Sequence, residues 1–477
     1  MLNSTASCPP GNPHTAMRSN CLARKRNRIS GALLPFLCAP LLVVVGCAPG
    51  GHPQVRQIVA EISQDRLRAT VEKLASFGTR HTLSETQSEF RGIGAARRWI
   101  KAEMDKIAAQ SGGRLSVEAQ SFTAKADGNR VFRDVEVVNI LATLPGADPA
   151  SKDRIYLISG HYDSIPSDPK DAASDAPGAN DDASGVAVVM ELARVMSRHA
   201  FDATLVFACV AGEEQGLVGS RFLAKQYRLR NANIAGMITN DIVGNSINTL
   251  GVRDDRRVRV FSEGIPAQES EEDRKIRIAI GAESDSPARQ LARYFEETAC
   301  RYMPAFETML VYRKDRFLRG GDHTAFSEQG YPAIRITEMQ ENYDRQHQNV
   351  RTEGGRSYGD VVEHVDFAYL TRVARVNAAA LASLALAPAP PANARVITAK
   401  LENTTTLAWD LGKEPDLAGY EVVWRRTSAP TWEASRPVGL VSSYTHELSK
   451  DHYVFGIRAV DRDGHRSVVA YPWPARE

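Results

Sequence analysis

Histidine and acidic side chains follow three short apolar segments near the middle of this sequence of 477 residues. The segments are rich in Val, Ile and Leu, which predicts buried strands. Ligands of open α/β sheets bind beyond the carboxyl ends of the strands, so these side chains are expected to meet in one crevice. The set consists of His161, Glu213, Glu214 and Asp241 at strand ends, and Asp181 in the connection after the first strand.

Such a set of side chains is suited to binding metal ions. Carboxylates packed closely would raise one another's pKa unless cations lay between them. Zinc takes histidine nitrogen and carboxylate oxygen readily, and two zinc ions sharing one carboxylate need about five protein ligands. A pair of ions with a bridging water acidifies that water and polarises a carbonyl group, while an unligated carboxylate moves the proton. The residues therefore predict a hydrolytic site.

The motifs around these residues resemble the co-catalytic two-zinc aminopeptidases, the MH-clan family that also holds glutamate carboxypeptidases and glutaminyl cyclases. The resemblance covers about residues 54–386 and is most specific from 155 to 245. The motifs are His161-x-Asp163, Gly178-x-Asn180-Asp181-Asp182-x-x-Gly185, Gly212-Glu213-Glu214 and Asn240-Asp241.

The resemblance implies a ligand set for two Zn²⁺ ions per chain. One carboxylate would bridge the two ions, and each ion would also have one histidine and one further carboxylate. The implied ligands are His161 and Asp241 for one ion, Glu214 and a late histidine for the other, and Asp181 for both.

Two further roles follow from the same resemblance. Glu213 would be the general base, which takes the water proton and delivers it to the leaving amine. Asp163 would hold the ring of His161 in place, as metal-bound histidines usually require. The family also has a cis peptide bond after the bridging carboxylate, here between Asp181 and Asp182.

The late histidine lies where this sequence departs from the family pattern, which often has Tyr-His-Thr. His347 is the best candidate, because it follows the predicted strand 333–337 by a loop. His323 is the alternative. The family has a similar Asp-His pair on the substrate side of the pocket, which would make Asp322 and His323 substrate-binding residues. Tyr343 is the corresponding candidate for stabilising the oxyanion.

Two motifs have simpler interpretations. Asp181-Asp182 taken alone could cap the helix predicted from residue 184, but the companion residues favour the metal site. Gly355-Arg356-Ser357-Tyr358-Gly359 fits the Gly-x-Ser-x-Gly pattern of serine hydrolases. That pattern is functional after a buried strand, whereas here it follows a polar stretch. We therefore interpret Ser357 as part of a loop at the pocket rim.

The elements that must position the site alternate between apolar strands and amphipathic helices from about residue 150 to 386. This pattern predicts an α/β domain over 54–386, with a mixed, mostly parallel sheet flanked by helices. A stiff Pro/Ala linker follows at 387–393. Residues 394–477 contain strand-like segments only and resemble a fibronectin type III domain, a small all-β sandwich.

Composition sets limits on the class of protein. Hydrophobic residues make up 43% and charged residues 24% of the chain, which is typical of globular proteins and excludes a disordered chain or a multi-span membrane protein. The formal net charge of +2 gives no sign of a basic nucleic-acid-binding surface, so nucleic acid is not an expected partner.

Residues 1–46 are predicted to be a targeting segment. They contain a basic cluster from Arg24 to Arg28, then an apolar stretch, and no acidic residue. The segment ends in Val44-Val45-Gly46-Cys47, which resembles a bacterial lipobox and implies a membrane anchor through lipid on Cys47. An exported lipoprotein of the bacterial envelope, in the outer membrane and facing the periplasm or the surface, is expected. Plain secretion and a retained anchor are the alternatives.

Beyond Cys47 only Cys209 and Cys300 remain, and the sequence leaves open whether they pair. The combined prediction is a zinc exopeptidase that removes N-terminal residues from peptides. Carboxypeptidase, dipeptidase or other amidohydrolase activity on the same scaffold is the alternative within the class. A catalytically silent envelope binding protein is the alternative from another class. Oligomeric state and side-chain preference stay open.

Overall fold

The structure is a computed structural model that describes residues 43–44 and 51–476. The predicted targeting segment and Cys47 lie outside the described residues, apart from Val43–Val44. None of the helices in the described part combines the length and apolarity needed to cross a membrane. Cys209 is a free, buried thiol, so it does not pair with Cys300.

An eight-stranded sheet forms the centre of the larger part of the molecule. In spatial order its strands are β2 (Ser116–Ala124), β3 (Val135–Leu144), β5 (Thr204–Val210), β4 (Arg154–His161), β6 (Asn233–Asn240), β9 (Ala333–Glu338), β7 (Arg257–Ser262) and β8 (Glu307–Val311). The four central strands β5, β4, β6 and β9 are parallel, so their carboxyl ends lie along one edge. Strand β3 is antiparallel to β5, and β7 is antiparallel to β9.

Helices cover the sheet. They are α1 (Pro53–Ala60), α2 (Gln64–Ala75), α3 (Gly92–Gln110), α4 (Ala183–Met196), α5 (Val218–Leu229), α6 (Glu271–Ala279), α7 (Pro287–Tyr302), α8 (Asp322–Glu328) and α9 (Phe367–Leu386). Nearly every residue of α4 and α9 is buried, which their Ala- and Val-rich sequences permit. Helix α4 begins at the site, with Asp182 as its N-cap.

The predicted fold class, a mixed and mostly parallel α/β sheet plus smaller all-β sheets, is confirmed. The arginine-rich sequence of residues 252–260 predicts a solvated face or an edge strand, and this prediction is wrong. The second half of this segment belongs to β7, which lies inside the sheet between β9 and β8. Val258 and Val260 are fully buried there, and the intervening Arg259 pairs with Glu341.

The smaller part of the structure contains two four-stranded sheets. One has the order β1 (Val43–Val44), β15 (Ala434–Gly439), β14 (Leu417–Arg426) and β17 (Tyr453–Asp461); the other has β16 (Ser443–His446), β13 (Thr405–Ala408), β12 (Arg395–Ile397) and β18 (Trp473–Ala475). Their shared core contains Trp409, Tyr420, Val422, Trp424 and Ile457. The two remaining strands of the described residues, β10 (Arg351–Glu353) and β11 (Arg356–Tyr358), form a separate short hairpin.

Candidate metal centre

The carboxyl ends of β4 and β6 bring a first group of donor atoms together. His161 is the last residue of β4, and Asp241 follows the last residue of β6. Nε2 of His161 lies 3.2 Å from Oδ1 of Asp181 and 4.0 Å from Oδ1 of Asp241. These three side chains are buried and form a cluster that could hold a metal ion.

A second group shares one residue with the first. Nε2 of His347 lies 2.9 Å from Oδ2 of Asp181 and 3.0 Å from Oε1 of Glu214. These three side chains also form a candidate metal cluster. Asp181 therefore presents one carboxylate oxygen to each group, which is the arrangement of a bridging ligand. Of the two candidate late histidines, the structure brings His347 into a cluster.

The donor set fits divalent zinc. It consists of two imidazole nitrogens and carboxylate oxygens, the ligands that zinc takes in hydrolytic sites. Among the described residues, no lysine or arginine forms an ion pair with the carboxylates of Asp181 or Glu214, so their charge is left for a cation. Burial lowers the pKa of both histidines, but the neighbouring carboxylates raise the pKa of each well above its usual value. Bound metal would replace these protons, because it requires neutral imidazole.

Asp163 lies behind His161. Nδ1 of His161 is 3.2 Å from the main-chain oxygen of Asp163 and 3.4 Å from its Oδ1. The same carboxylate accepts hydrogen bonds from the backbone N–H groups of Glu213 and Glu214, at 3.3 and 3.1 Å. Asp163 thus connects the end of β4 to the segment after β5.

The peptide bond between Asp181 and Asp182 is cis, as the resemblance implied. The carboxylate of Asp182 accepts hydrogen bonds from three backbone N–H groups: His161 at 3.0 Å, Gly185 at 2.9 Å and Ile242 at 3.3 Å. Asp182 therefore caps α4 and joins β4 to the segment after β6. Asp181 is left to face both histidines.

Glu213 is half-buried and lies in a third cluster with His161 and Glu214. Burial raises the pKa of the Glu213 carboxyl well above its ordinary value, and the charges of Asp241 and Glu214 add to this rise against the opposing effect of His161. A carboxyl group with a raised pKa at the edge of a metal cluster is suited to take up and release a proton.

The residues expected on the substrate side are not in the clusters. His323 is buried at the start of α8, where its Nε2 lies 2.9 Å from the carbonyl oxygen of Lys314, and burial lowers its pKa to about 4. Asp322 is buried, accepts a 3.4 Å hydrogen bond from Ser159, and burial raises its pKa to about 6. The Tyr343 side chain is 59% exposed. Their substrate-binding roles stay predictions.

Three buried charged residues support the site and were not found from the sequence. Asp360 accepts hydrogen bonds from the backbone N–H groups of Asn180 and Asp181, the latter at 2.7 Å, and burial raises its pKa to about 7. Arg80 binds the carbonyl oxygens of Tyr162 and Gly178. Arg335 forms an ion pair with Asp241. In the sequence, Arg335 stands out only as a charged residue inside the predicted buried strand 333–337.

Fold and donor set together define a metal-dependent hydrolase of the α/β class. A family model described as peptidase family M28 matches residues 139–368. A probable zinc metalloprotease of Leptosphaeria maculans is 46% identical over 426 residues, covering 89% of this chain and 98% of that protein. A second, from Pyricularia oryzae, is 46% identical over 423 residues and covers 87% of this chain and 84% of its own.

Among solved structures, the LapA aminopeptidase of Legionella pneumophila matches with a TM-score of 0.50 at 18% identity, covering 72% of this chain and 77% of that one. At this identity the likeness concerns the fold alone. The chain belongs to peptidase family M28, so it is a peptide-bond hydrolase. The predicted class, a zinc-dependent exopeptidase, is confirmed.

Proposed function

We propose that this chain is an aminopeptidase with two zinc ions, which hydrolyses the first peptide bond of peptide substrates. His161 and Asp241 would hold one ion, Glu214 and His347 the other, and Asp181 both. The observation that carries this proposal is the division of the two Asp181 oxygens between His161 and His347, at 3.2 and 2.9 Å. When bound, the ions supply an acidified water molecule and polarise the scissile carbonyl group.

The residues of the chain would perform the remaining steps. The Glu213 carboxylate takes a proton from the attacking water and donates it to the nitrogen of the leaving amine. Asp163 keeps the His161 ring oriented through its contact with Nδ1, so that Nε2 faces the metal. Asp182 fixes the loop that carries Asp181 by accepting backbone hydrogen bonds from the neighbouring strand ends.

Replacement of the proton carrier tests the mechanism. Glu213→Gln removes the acidic proton at nearly unchanged size, so we expect two bound zinc ions and a loss of turnover of about 10²-fold or more. The measurement combines elemental analysis of the purified protein with hydrolysis of aminoacyl-p-nitroanilides. Glu89→Gln, on an exposed residue, is the matched control. Full activity in Glu213→Gln would refute the role of Glu213.

The substrate panel separates the related activities. Cleavage of free-amine substrates that stops when the amine is acetylated supports an aminopeptidase. Cleavage of acetylated peptides from their carboxyl end supports a carboxypeptidase, and cleavage of dipeptides alone supports a dipeptidase. Absence of turnover on all of these, with metal bound, would support a catalytically silent binding protein.

The all-β region is proposed to be a separate fibronectin type III-like domain, over 394–477, attached by the linker 387–393. The support is its own buried core around Trp409 and Tyr420 and the two packed sheets. Limited proteolysis that releases a folded fragment beginning near residue 390 supports these boundaries. Unfolding of both parts in one inseparable transition would count against them.

The location of the enzyme is a proposal from the sequence alone. Export with a lipid on Cys47 rests on the leader-like residues 1–46. The curated relatives are fungal, which argues against a bacterial cell envelope. Mass spectrometry of the mature N-terminal peptide tests the anchor: an acylated Cys47 supports it, and an unmodified N-terminus supports plain secretion.

A further inference from the structure

A buried arginine forms an ion pair with one of the proposed metal ligands. Arg335 is the third residue of β9 and is fully buried. Its Nη2 lies 2.9 Å from Oδ1 of Asp241, and its Nη1 lies 3.2 Å from Oδ2 of Asp315. Nη1 also donates a 2.6 Å hydrogen bond to the carbonyl oxygen of Gly320. These contacts fix the guanidinium beside Asp241.

The guanidinium and His161 approach the same oxygen of Asp241. Oδ1, which Arg335 contacts, is also the oxygen 4.0 Å from Nε2 of His161. The other oxygen, Oδ2, faces Gly321, where a Cβ atom would lie only 3.1 Å away. An ion held between His161 and Asp241 would therefore bind an oxygen whose charge is already shared with a buried cation.

At the other proposed ion position, no arginine or lysine among the described residues contacts a ligand carboxylate directly. Among the described side chains, Glu214 pairs only with His347, and the carboxylate of Asp181 contacts the two histidines and the neutral amide of Gln346. A positive group next to a carboxylate reduces the attraction of that carboxylate for a metal ion, and the reduction is larger where water is excluded. The two positions thus differ by one direct contact with a buried guanidinium, because the buried Arg80 interacts with Asp181 only at longer range.

We infer that Arg335 makes the His161–Asp241 position the weaker and more readily exchanged of the two zinc positions. Arg335 acts through Asp241 and is in this sense a positioning residue for the ion. The inference rests on the proposed two-ion site. Asp315 tunes the effect, because it contacts the other terminal nitrogen of Arg335 and shares its charge.

Zinc binding by the full chain tests the inference. The protein is equilibrated against chelator-buffered zinc over a range of free concentrations, and bound zinc is measured by elemental analysis. We expect two separate binding steps, of which Asp241→Asn removes the weaker one. Arg335→Met should tighten the weaker step, by on the order of tenfold, since the second shell of a metal site commonly changes affinity by 10–100-fold.

The matched variants should change the zinc affinity of the weaker step in opposite directions. Asp315→Asn leaves the whole charge of Arg335 on Asp241 and should loosen the weaker step, whereas Arg335→Lys keeps the charge and should leave it near the wild-type value. A purely structural role of Arg335 would instead weaken binding in both Arg335→Met and Asp315→Asn. Asp315→Asn and Arg335→Lys keep the test available if Arg335→Met fails to fold.

Three results would overturn the inference: two equal binding steps in the wild-type chain, weaker binding in Arg335→Met, or a change confined to the tighter step. A wild-type chain that never binds more than one zinc ion would refute the proposed two-ion site itself. The two failures are therefore distinguishable in the same titration.

Discussion

Oδ2 of Asp163 accepts a 3.1 Å hydrogen bond from the backbone N–H of Glu214, one of the proposed ligands of the second ion. The other oxygen of the same carboxylate lies 3.4 Å from Nδ1 of His161, a proposed ligand of the first. One buried carboxylate thus sets the relative position of two strand ends that carry ligands for different ions. Its loss should affect both positions together.

Asp163→Asn is expected to weaken zinc binding at both steps by about 10–100-fold. The neutral amide attracts the His161 ring less strongly, and its NH₂ group cannot accept a hydrogen bond as the lost carboxylate oxygen did. Chelator-buffered zinc titration measures the change. Asp175→Asn, on a largely exposed residue paired with Arg91, is the matched control and should bind zinc like the wild type. An unchanged titration in Asp163→Asn would contradict the bridging role.

Ser357 is expected to be dispensable for activity, despite the Gly-x-Ser-x-Gly pattern around it. It lies on the exposed hairpin strand β11, and its Oγ is 3.5 Å from Nε2 of His364, at the outer limit for a hydrogen bond. Ser357→Ala should keep kcat within about twofold of the wild type, because a surface substitution of this kind perturbs the fold little. A loss as large as that of Glu213→Gln would identify a serine-dependent reaction instead.

The central strands and the donor residues at their ends could be predicted from the sequence, since both depend on local patterns. Residues 155–158, shortly before His161, are continuous apolar sequence, and the strand that contains them ends at His161 in the structure. The apolar pattern of residues 367–386 predicts a helix, and α9 has those bounds. Strand periodicity and the position of a chemical group just beyond it are visible without knowledge of distant contacts.

The supporting residues could not be predicted, because their partners are far away in sequence. Asp360 meets the backbone of Asp181 across 179 residues, and Arg335 meets Asp241 from a different strand. Helix α6 was not predicted because its polar sequence shows no apolar face. The interior position of β7 was not predicted because Arg259 pairs with Glu341 from a distant segment. Pairing of buried charges is a property of the tertiary structure.

Glu296 is expected to make stability depend on pH. Burial, with the neighbouring charges of Glu297 and Glu307, raises its pKa to about 7 in the folded chain from an ordinary value of 4.5. The folded state therefore prefers the protonated form, and its contribution is fully present below pH 4.5 and is lost as the pH rises through about 7.

The measurement is the free energy of unfolding of Glu296→Gln relative to the wild type, by urea denaturation between pH 4.5 and 8 at fixed zinc. The variant lacks the titration, so its relative stability should increase with pH up to about 7 and then stay constant. Subtraction removes the pH dependence common to both proteins. Glu89→Gln, at an exposed position, should show no trend, and a flat difference for Glu296→Gln would refute the prediction.

Asp285 is expected to be essential for the stability of the contact between the α/β part and the all-β part. Its buried carboxylate lies 2.7 Å from Nη2 of Arg425 in β14 and 3.1 Å from Nη1 of Arg293 in α7. Asp285→Asn leaves two buried guanidinium groups without their counter-charge, which should reduce the free energy of unfolding by about 3–5 kcal/mol. Urea denaturation measures the loss.

Asp134→Asn is the control: it breaks the exposed pair with Lys125 and should change the free energy of unfolding by less than about 1 kcal/mol. If both variants had equally small effects, the buried pair would contribute no more than a surface pair, and the all-β part would be held by its apolar contacts alone.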